Sequence, residues 1–287
     1  MVNERHKKIK YLNLPNILIN RLKFYQMRYV RPKKHLGQHF LKDKQIAERI
    51  VNTLLVTEKE LPVLEIGPGT GVLTSILLEK LQTPFKVVEI DKESVAYLKE
   101  ELGMKENQVI EGDFIKSETA DFFKEKFSII GNFPYNISSQ IFFKVLENKD
   151  NIQQVTCMIQ KEVADRITAT SGGRVSGILT VLIQAFYDTE FNFIVPPSVF
   201  IPPPKVDSAV ITLKRNRIQQ LDCDEKLFFK VVKQAFSTRR KTLRNALKLF
   251  QLPTEITKNN IFSKRAEQLS VNDFVNLTNV IQQNNNQ

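Results

Sequence analysis

A chain of 287 residues is long enough for one full α/β core and a smaller second domain. Its two cysteines, Cys157 and Cys223, cannot build a disulfide framework or a metal-ligand spacing. That cysteine usage reads as intracellular, with a cytoplasmic protein expected, and no apolar run approaches the ~20 residues of a membrane span.

The net charge of +11 is unevenly spread. Residues 1–34 hold ten basic residues and one acid, 35–213 hold 18 and 24, and 214–265 hold 14 and four. Lysine-rich helix faces are the plainer explanation of such blocks. Two basic ends around a mildly acidic middle nevertheless fit a polyanion gripped at the ends, which favours nucleic acid.

Residues 1–30 are basic and acid-poor. They read as a transit-type segment or as an extension upstream of Met27, the second being favoured because the informative pattern begins just after it. Little stable structure is expected there. Arg31–Asp43 follows, with a basic half suited to phosphates, Gly37 for a tight loop, and Gln38, His39, Phe40 and Leu41 able to cover a small ligand. A lone histidine is more often a structural hydrogen-bonder than a base. Ile46–Leu55 has the spacing of an amphipathic helix.

Leu61–Gly67 reads as the first strand and Pro68–Gly71 as the turn into a helix over Val72–Leu81. Glycines let the backbone approach a ligand beside a helix N-terminus, although a Gly-rich turn alone is a weak signal. It gains weight from a second strand, Lys86–Asp91, which places Glu89 and Asp91 where Rossmann-type folds receive ribose hydroxyls. A third strand, Gln108–Asp113, ends on Asp113, either an acceptor for an adenine amino group or a helix cap.

Phe127–Gly131 reads as a buried parallel strand running into Asn132-Phe133-Pro134-Tyr135. Taken alone, this stretch is an ordinary strand-end turn. Beyond three strand ends bearing Gly, Glu and Asp, it completes a line of acceptors along one sheet edge. Asn132 offers a carbonyl oxygen, Pro134 a carbonyl without a competing N–H, and Tyr135 a flat face for a base. That line suits an adenosine-containing cofactor whose reactive end points at the fourth strand.

Helices are expected at Ser138–Glu147, Glu162–Ile167 and Gly177–Tyr187, with strands at Gln154–Gln160 and Phe191–Val195. The alternation predicts a doubly wound, mostly parallel sheet. Pro196–Pro204 cannot be a central strand and reads as a stiff loop presenting Phe200, either as packing or as the second side of a base sandwich. Asp207–Leu213 is expected to close the sheet, and the cationic run Lys214–Arg217 to mark a domain boundary. A helix over Leu227–Ala235 is expected to continue through Phe236–Leu247, whose cations suit phosphates. Ser270–Val280 is the last helix.

Seven ordered blocks now carry a resemblance. They are Lys33–Asp43, Glu65–Gly71, Val88–Asp91, Gly112-Asp113, Gly131–Ser138, Phe200–Ser208 and Phe236–Leu247. Together they resemble the ribosomal RNA adenine N6-dimethyltransferases over about residues 31–280, nearest to those acting on small-subunit 16S rRNA. The resemblance implies a class I (Rossmann-like) methyltransferase domain at 31–214 and a small all-α RNA-binding domain at 215–287. The cofactor is then S-adenosylmethionine, contacted by His39, Leu41, Gly67, Glu89, Asp113 and Asn132, with no metal. Asn132 and Pro134 would accept from the adenine N6-amino group while Tyr135 and Phe200 clamp the ring. Two departures stand out: His39 replaces the Asn familiar in the Gly-Gln-Asn-Phe-Leu block, and Phe133 a Leu. The implied activity is dimethylation of two adjacent adenosines of 16S rRNA in the 30S subunit or its precursor, by a monomer, in rRNA processing and ribosome biogenesis. The rival readings are a resistance enzyme acting on large-subunit rRNA and a non-catalytic RNA-binding assembly factor.

Overall fold

The strands of this computed structural model are, in chain order, β1 (Phe40–Leu41), β2 (Val63–Ile66), β3 (Phe85–Glu89), β4 (Val109–Glu111), β5 (Phe127–Asn132), β6 (Ile152–Gln160), β7 (Tyr187–Val195), β8 (Phe200–Ile201) and β9 (Ser208–Arg215). It describes residues 30–57, 60–238 and 240–285. The expectations for the amino-terminal extension and Met27 thus lie outside the described residues. From Pro32 onward the chain forms one compact unit.

Seven strands make one sheet in the order β4-β3-β2-β5-β6-β9-β7. The first five are mutually parallel, and β9 runs antiparallel to both β6 and β7. The chain winds outward from β2 through β3 to β4, then returns to β5 on the other side of β2. That reversal opens a crevice beyond the carboxyl ends of β2 and β5, where open α/β sheets take their ligands. Central strands need apolar residues on both faces. All four residues of β2 and the first five of β5 are accordingly buried.

Neighbouring strand residues fall into opposite core clusters because strand side chains alternate. Leu64, Val88, Ile129 and Ile211 face one cluster, and Val63, Val87, Ile130 and Val210 the other. The second cluster is covered by Ile50, Val51 and Leu54 of the helix Lys44–Thr57 and by Leu73 and Leu77 of the helix Val72–Lys80. Phe228, Val232, Leu243, Phe274 and Ile281, from the helical stretch after β9, join the first. Short polar side chains set the helix starts. Asp43 Oδ1 accepts from the Gln45 and Ile46 N–H groups, and Asp224 Oδ1 from Leu227 N–H.

The alternating pattern gave the right class, and three local expectations need correction. β9 does not close the sheet: it lies between β6 and β7, and β7 is the edge. Six of the eight β9 residues are buried, whereas β7 exposes Asp188, Glu190 and Ile194. The helix expected to reach Tyr187 ends at Gln184, so Tyr187 begins β7 instead. Finally, Phe236–Leu247 is not continuous helix. The helix Glu225–Ser237 stops at Thr238, an antiparallel bridge joins Thr242 to Arg265, and a short helix restarts at Leu243–Ala246. Burial of Leu243 and Ala246 and the Leu243 N–H bond to the Lys264 carbonyl fix that break.

Candidate active site

The carboxyl ends of β2, β3, β4 and β5 surround a cavity of about 260 Å³. Gly67, Glu89, Asp113, Asn132, Pro134 and Tyr135 line it, and Gln38, His39 and Phe40 form the opposite wall. Seven of the nine sequence-selected positions therefore meet in one place. Leu41 and Phe200 do not line it: they are 3% and 2% exposed, pair across β1 and β8, and belong to the second core cluster. The ring beside Tyr135 is that of His39, with centroids 5.5 Å apart and planes at 26°.

The backbone brings these groups close. Gly67 has φ +65°, and a Cβ there would meet nothing within 4 Å. At Gly131 a Cβ would lie 2.6 Å from the Ile66 carbonyl oxygen, so β2 and β5 approach only because that position is glycine. Gly69, at φ +57°, leaves room for the Phe40 ring.

Glu89 accepts from Gly69 N–H at 3.0 Å and from Asp91 N–H at 2.9 Å, which fixes its carboxylate under the Gly-rich turn. Burial pushes its pKa up, against those two bonds. Beneath it Glu65 is pushed up to about 8, first by burial and further by the Glu89 charge, while the Thr74 hydroxyl donating at 2.7 Å opposes the rise. Asp113 is followed by a turn and not by a helix, so it caps none. Its Oδ1 accepts from Ile115 N–H at 3.0 Å, a local turn, while the residue also lines the cavity.

Asn132 Nδ2 donates to the His39 carbonyl at 2.9 Å, which turns the amide and leaves its oxygen as an acceptor on the other side. The Pro134 carbonyl accepts from Ile137 N–H at 3.2 Å and keeps a second lone pair. Tyr135 is half-buried, and its hydroxyl pairs with Ser208 Oγ. Burial raises the Tyr135 phenol above its ordinary value, with the Ser208 bond opposing. Phe133 is fully buried, packs edge-on to Phe142 at 6.0 Å and also lines the cavity, so replacing a Leu there bears on both the core and the cavity wall.

Asp91, paired with Glu89 in the sequence reading, has a different task. It caps the helix Lys92–Glu100 through Glu93 N–H and holds the Lys33 ammonium, with the Gln38 amide at 3.4 Å. Burial acts to raise its pKa, but these partners together hold it below the ordinary carboxylate range. Lining residues that the sequence reading passed over include Ile90, Phe114, Asn136 and Gln140. Ile90 could have been noticed: an apolar side chain between two strand-end acids, it is 51% exposed.

Comparison with known proteins agrees with this geometry. A family model described as "Ribosomal RNA adenine dimethylase" matches residues 30–283. The "Ribosomal RNA small subunit methyltransferase A" of Cytophaga hutchinsonii is 55% identical over 255 residues, 89% of this chain and 99% of the relative. The protein of the same description from Bacteroides thetaiotaomicron is 54% identical over 259 residues, 90% and 96% of the two chains. Among solved structures, a dimethyladenosine transferase from Plasmodium falciparum superposes with a TM-score of 0.71 at 26% identity, covering 86% of this chain and 98% of that one. The 23S rRNA methyltransferase ErmE gives 0.65 at 27% identity, covering 85% and 99%. A crevice with acceptors on four successive strand ends, on a chain matched along nearly all its described length, belongs to the ribosomal RNA adenine dimethylase family of S-adenosylmethionine-dependent methyltransferases.

Proposed function

We propose that this enzyme dimethylates the N6-amino groups of two adjacent adenosines in small-subunit 16S rRNA, acting as a cytoplasmic monomer on the 30S particle or its precursor. The observation that carries the reading is the Asn132 amide. It is tied to His39 on one side and leaves an acceptor oxygen in the cavity that Glu89 and Asp113 also line.

The cavity suits S-adenosylmethionine on its own terms. Gly67 leaves open space where a side chain would stand, the strand-end carboxylates offer acceptors for hydroxyl and amino groups, and Ile90 and Phe114 supply apolar walls. When bound, the cofactor supplies an electrophilic methyl group on a cationic sulfonium that leaves as a neutral sulfide. The Asn132 oxygen and the Pro134 carbonyl accept from the adenine amine and hold it in line, while Tyr135 holds the ring plane. Such positioning is worth roughly 7–11 kcal/mol at best, and because the sulfonium leaves as a neutral sulfide no strong base is required. We assign the cofactor contacts to His39, Leu41, Gly67, Glu89, Asp113 and Asn132, with His39 and Leu41 acting through their backbone. Phe200 can join Tyr135 as a clamp only by leaving the core in which it packs.

We further propose that residues 31–214 form the catalytic domain and that 215–287 bind RNA. Exposed Arg240, Lys241 and Lys264 lie around the Thr242–Arg265 bridge and suit phosphate oxygens. Among the described residues no helix is long and apolar enough to cross a membrane. The test is methyl incorporation from labelled cofactor into undermodified 30S and 50S particles. Transfer to 30S that Asn132→Ala abolishes is expected. Transfer to 50S alone would favour a large-subunit enzyme, and cofactor binding without transfer a binding factor.

A further inference from the structure

His39 makes three contacts that converge on the groups assigned to the target base. Its ring lies beside Tyr135 at 5.5 Å and 26°. Its carbonyl accepts from Asn132 Nδ2 at 2.9 Å. Its Nδ1 lies 2.8 Å from the Pro202 carbonyl, which anchors the imidazole to the loop after β8. The next residue, Phe40, begins β1, whose two residues pair with β8, so the backbone carrying His39 is held from the same side as its ring. Phe200, the other aromatic candidate for this role, is turned into the core.

We propose that His39 is a positioning residue of the adenine slot: its ring sets the plane of Tyr135 while its carbonyl sets the rotation of the Asn132 amide. One residue thereby fixes both the stacking plane and the hydrogen-bond register of the incoming base. The inference rests on the adenine-methylating reading above. It adds a function for an imidazole at a position where the resemblance leads one to expect an asparagine, which has no ring to stack. Anchoring by Pro202 matters because an untethered imidazole would lose rotamer freedom on stacking and give less alignment.

The experiment compares His39→Phe, His39→Asn and His39→Ala with wild type on undermodified 30S particles, reading kcat and the KM for S-adenosylmethionine separately. A stacked aromatic pair accounts for about two- to tenfold, so His39→Ala and His39→Asn are expected to lose about that much kcat with KM changed less than about twofold. His39→Phe, which keeps a ring but loses the Pro202 anchor, is expected to recover part of the loss. A second readout is independent of turnover. In an RNA fragment carrying 2-aminopurine at the target position, wild type and His39→Phe should quench the flipped base, and His39→Ala should leave it brighter. Equal losses in the Phe and Ala variants, an unchanged kcat in all three, or a change confined to KM would overturn the proposal. Wild type that transfers no methyl to 30S would overturn the functional reading itself, a separable result.

Discussion

Asn132 Nδ2 and the His39 carbonyl oxygen, 93 residues apart in the chain, meet at 2.9 Å across the cavity mouth. The bond joins the end of β5 to the strap before β1. An amide so held cannot flip without breaking it, so its oxygen stays available as an acceptor. Asn132→Asp would set a carboxylate oxygen against that carbonyl. Positioned polar groups of this kind account for about 10²–10³ in kcat. A loss of that order is expected in single-turnover methyl transfer for Asn132→Asp and Asn132→Ala; a loss under about fivefold would refute the assignment.

Tyr135 separates into a ring and a hydroxyl. Its phenol is held above its ordinary value and stays neutral near pH 7, so it contributes a surface and not a base. Tyr135→Phe should keep kcat within about threefold. It should nonetheless cost about 1–3 kcal/mol of stability, because fully buried Ser208 loses its partner. Tyr135→Ala should abolish detectable transfer. Chemical denaturation and initial rates on the same preparations check the split.

Glu65 ties stability to pH. Its folded pKa of about 8 exceeds the ordinary 4.5, so the folded protein keeps a proton that the unfolded chain releases. That contribution is complete below about pH 4.5 and is lost as pH rises towards 8. Its upper bound is about 5 kcal/mol. Glu65→Gln, still able to accept from Thr74, should be more stable than wild type at pH 9 and about equal at pH 4.5. Urea midpoints at the two pH values give the answer; parallel profiles would rule out a buried, protonated Glu65.

Lys33 fastens the strap that carries Gln38 and His39. Its ammonium reaches Asp91, whose side chain is fully covered, and Glu93 at 3.4 Å. Lys33→Met leaves that carboxylate without its cation and should loosen the wall opposite Glu89. Cofactor affinity should fall about three- to tenfold by calorimetry, with faster amide exchange over residues 34–39. Because Asp91 sits below the ordinary carboxylate range, the wild-type advantage persists above about pH 4 and fades as pH falls through the depressed value. Unchanged affinity at pH 7 would show that the strap is held by its other contacts.

Gly131 tests the closeness of β2 and β5. A methyl group 2.6 Å from the Ile66 carbonyl meets backbone that cannot rotate away. Gly131→Ala should therefore cost about 1–3 kcal/mol and widen the crevice. A thermal midpoint equal to wild type would mean that the strands part freely.

The sequence by itself determined the alternating class, the strand ends carrying Gly67, Glu89, Asp113 and Asn132, and the family. These are local signals: a buried strand writes its own apolar run, and each acceptor follows its strand within a residue or two. Only the tertiary structure decided what lies across from them. That Phe200 packs with Leu41 in the core, that His39 stands beside Tyr135, that Asp91 holds Lys33 and that β9 runs inside β7 all depend on groups from distant parts of the chain. The break at Thr238 belongs with them, since residues near Lys264 and Arg265 impose it. Local propensity carries no record of such partners. They are fixed only when the sheet closes and each side chain must be buried or left in water.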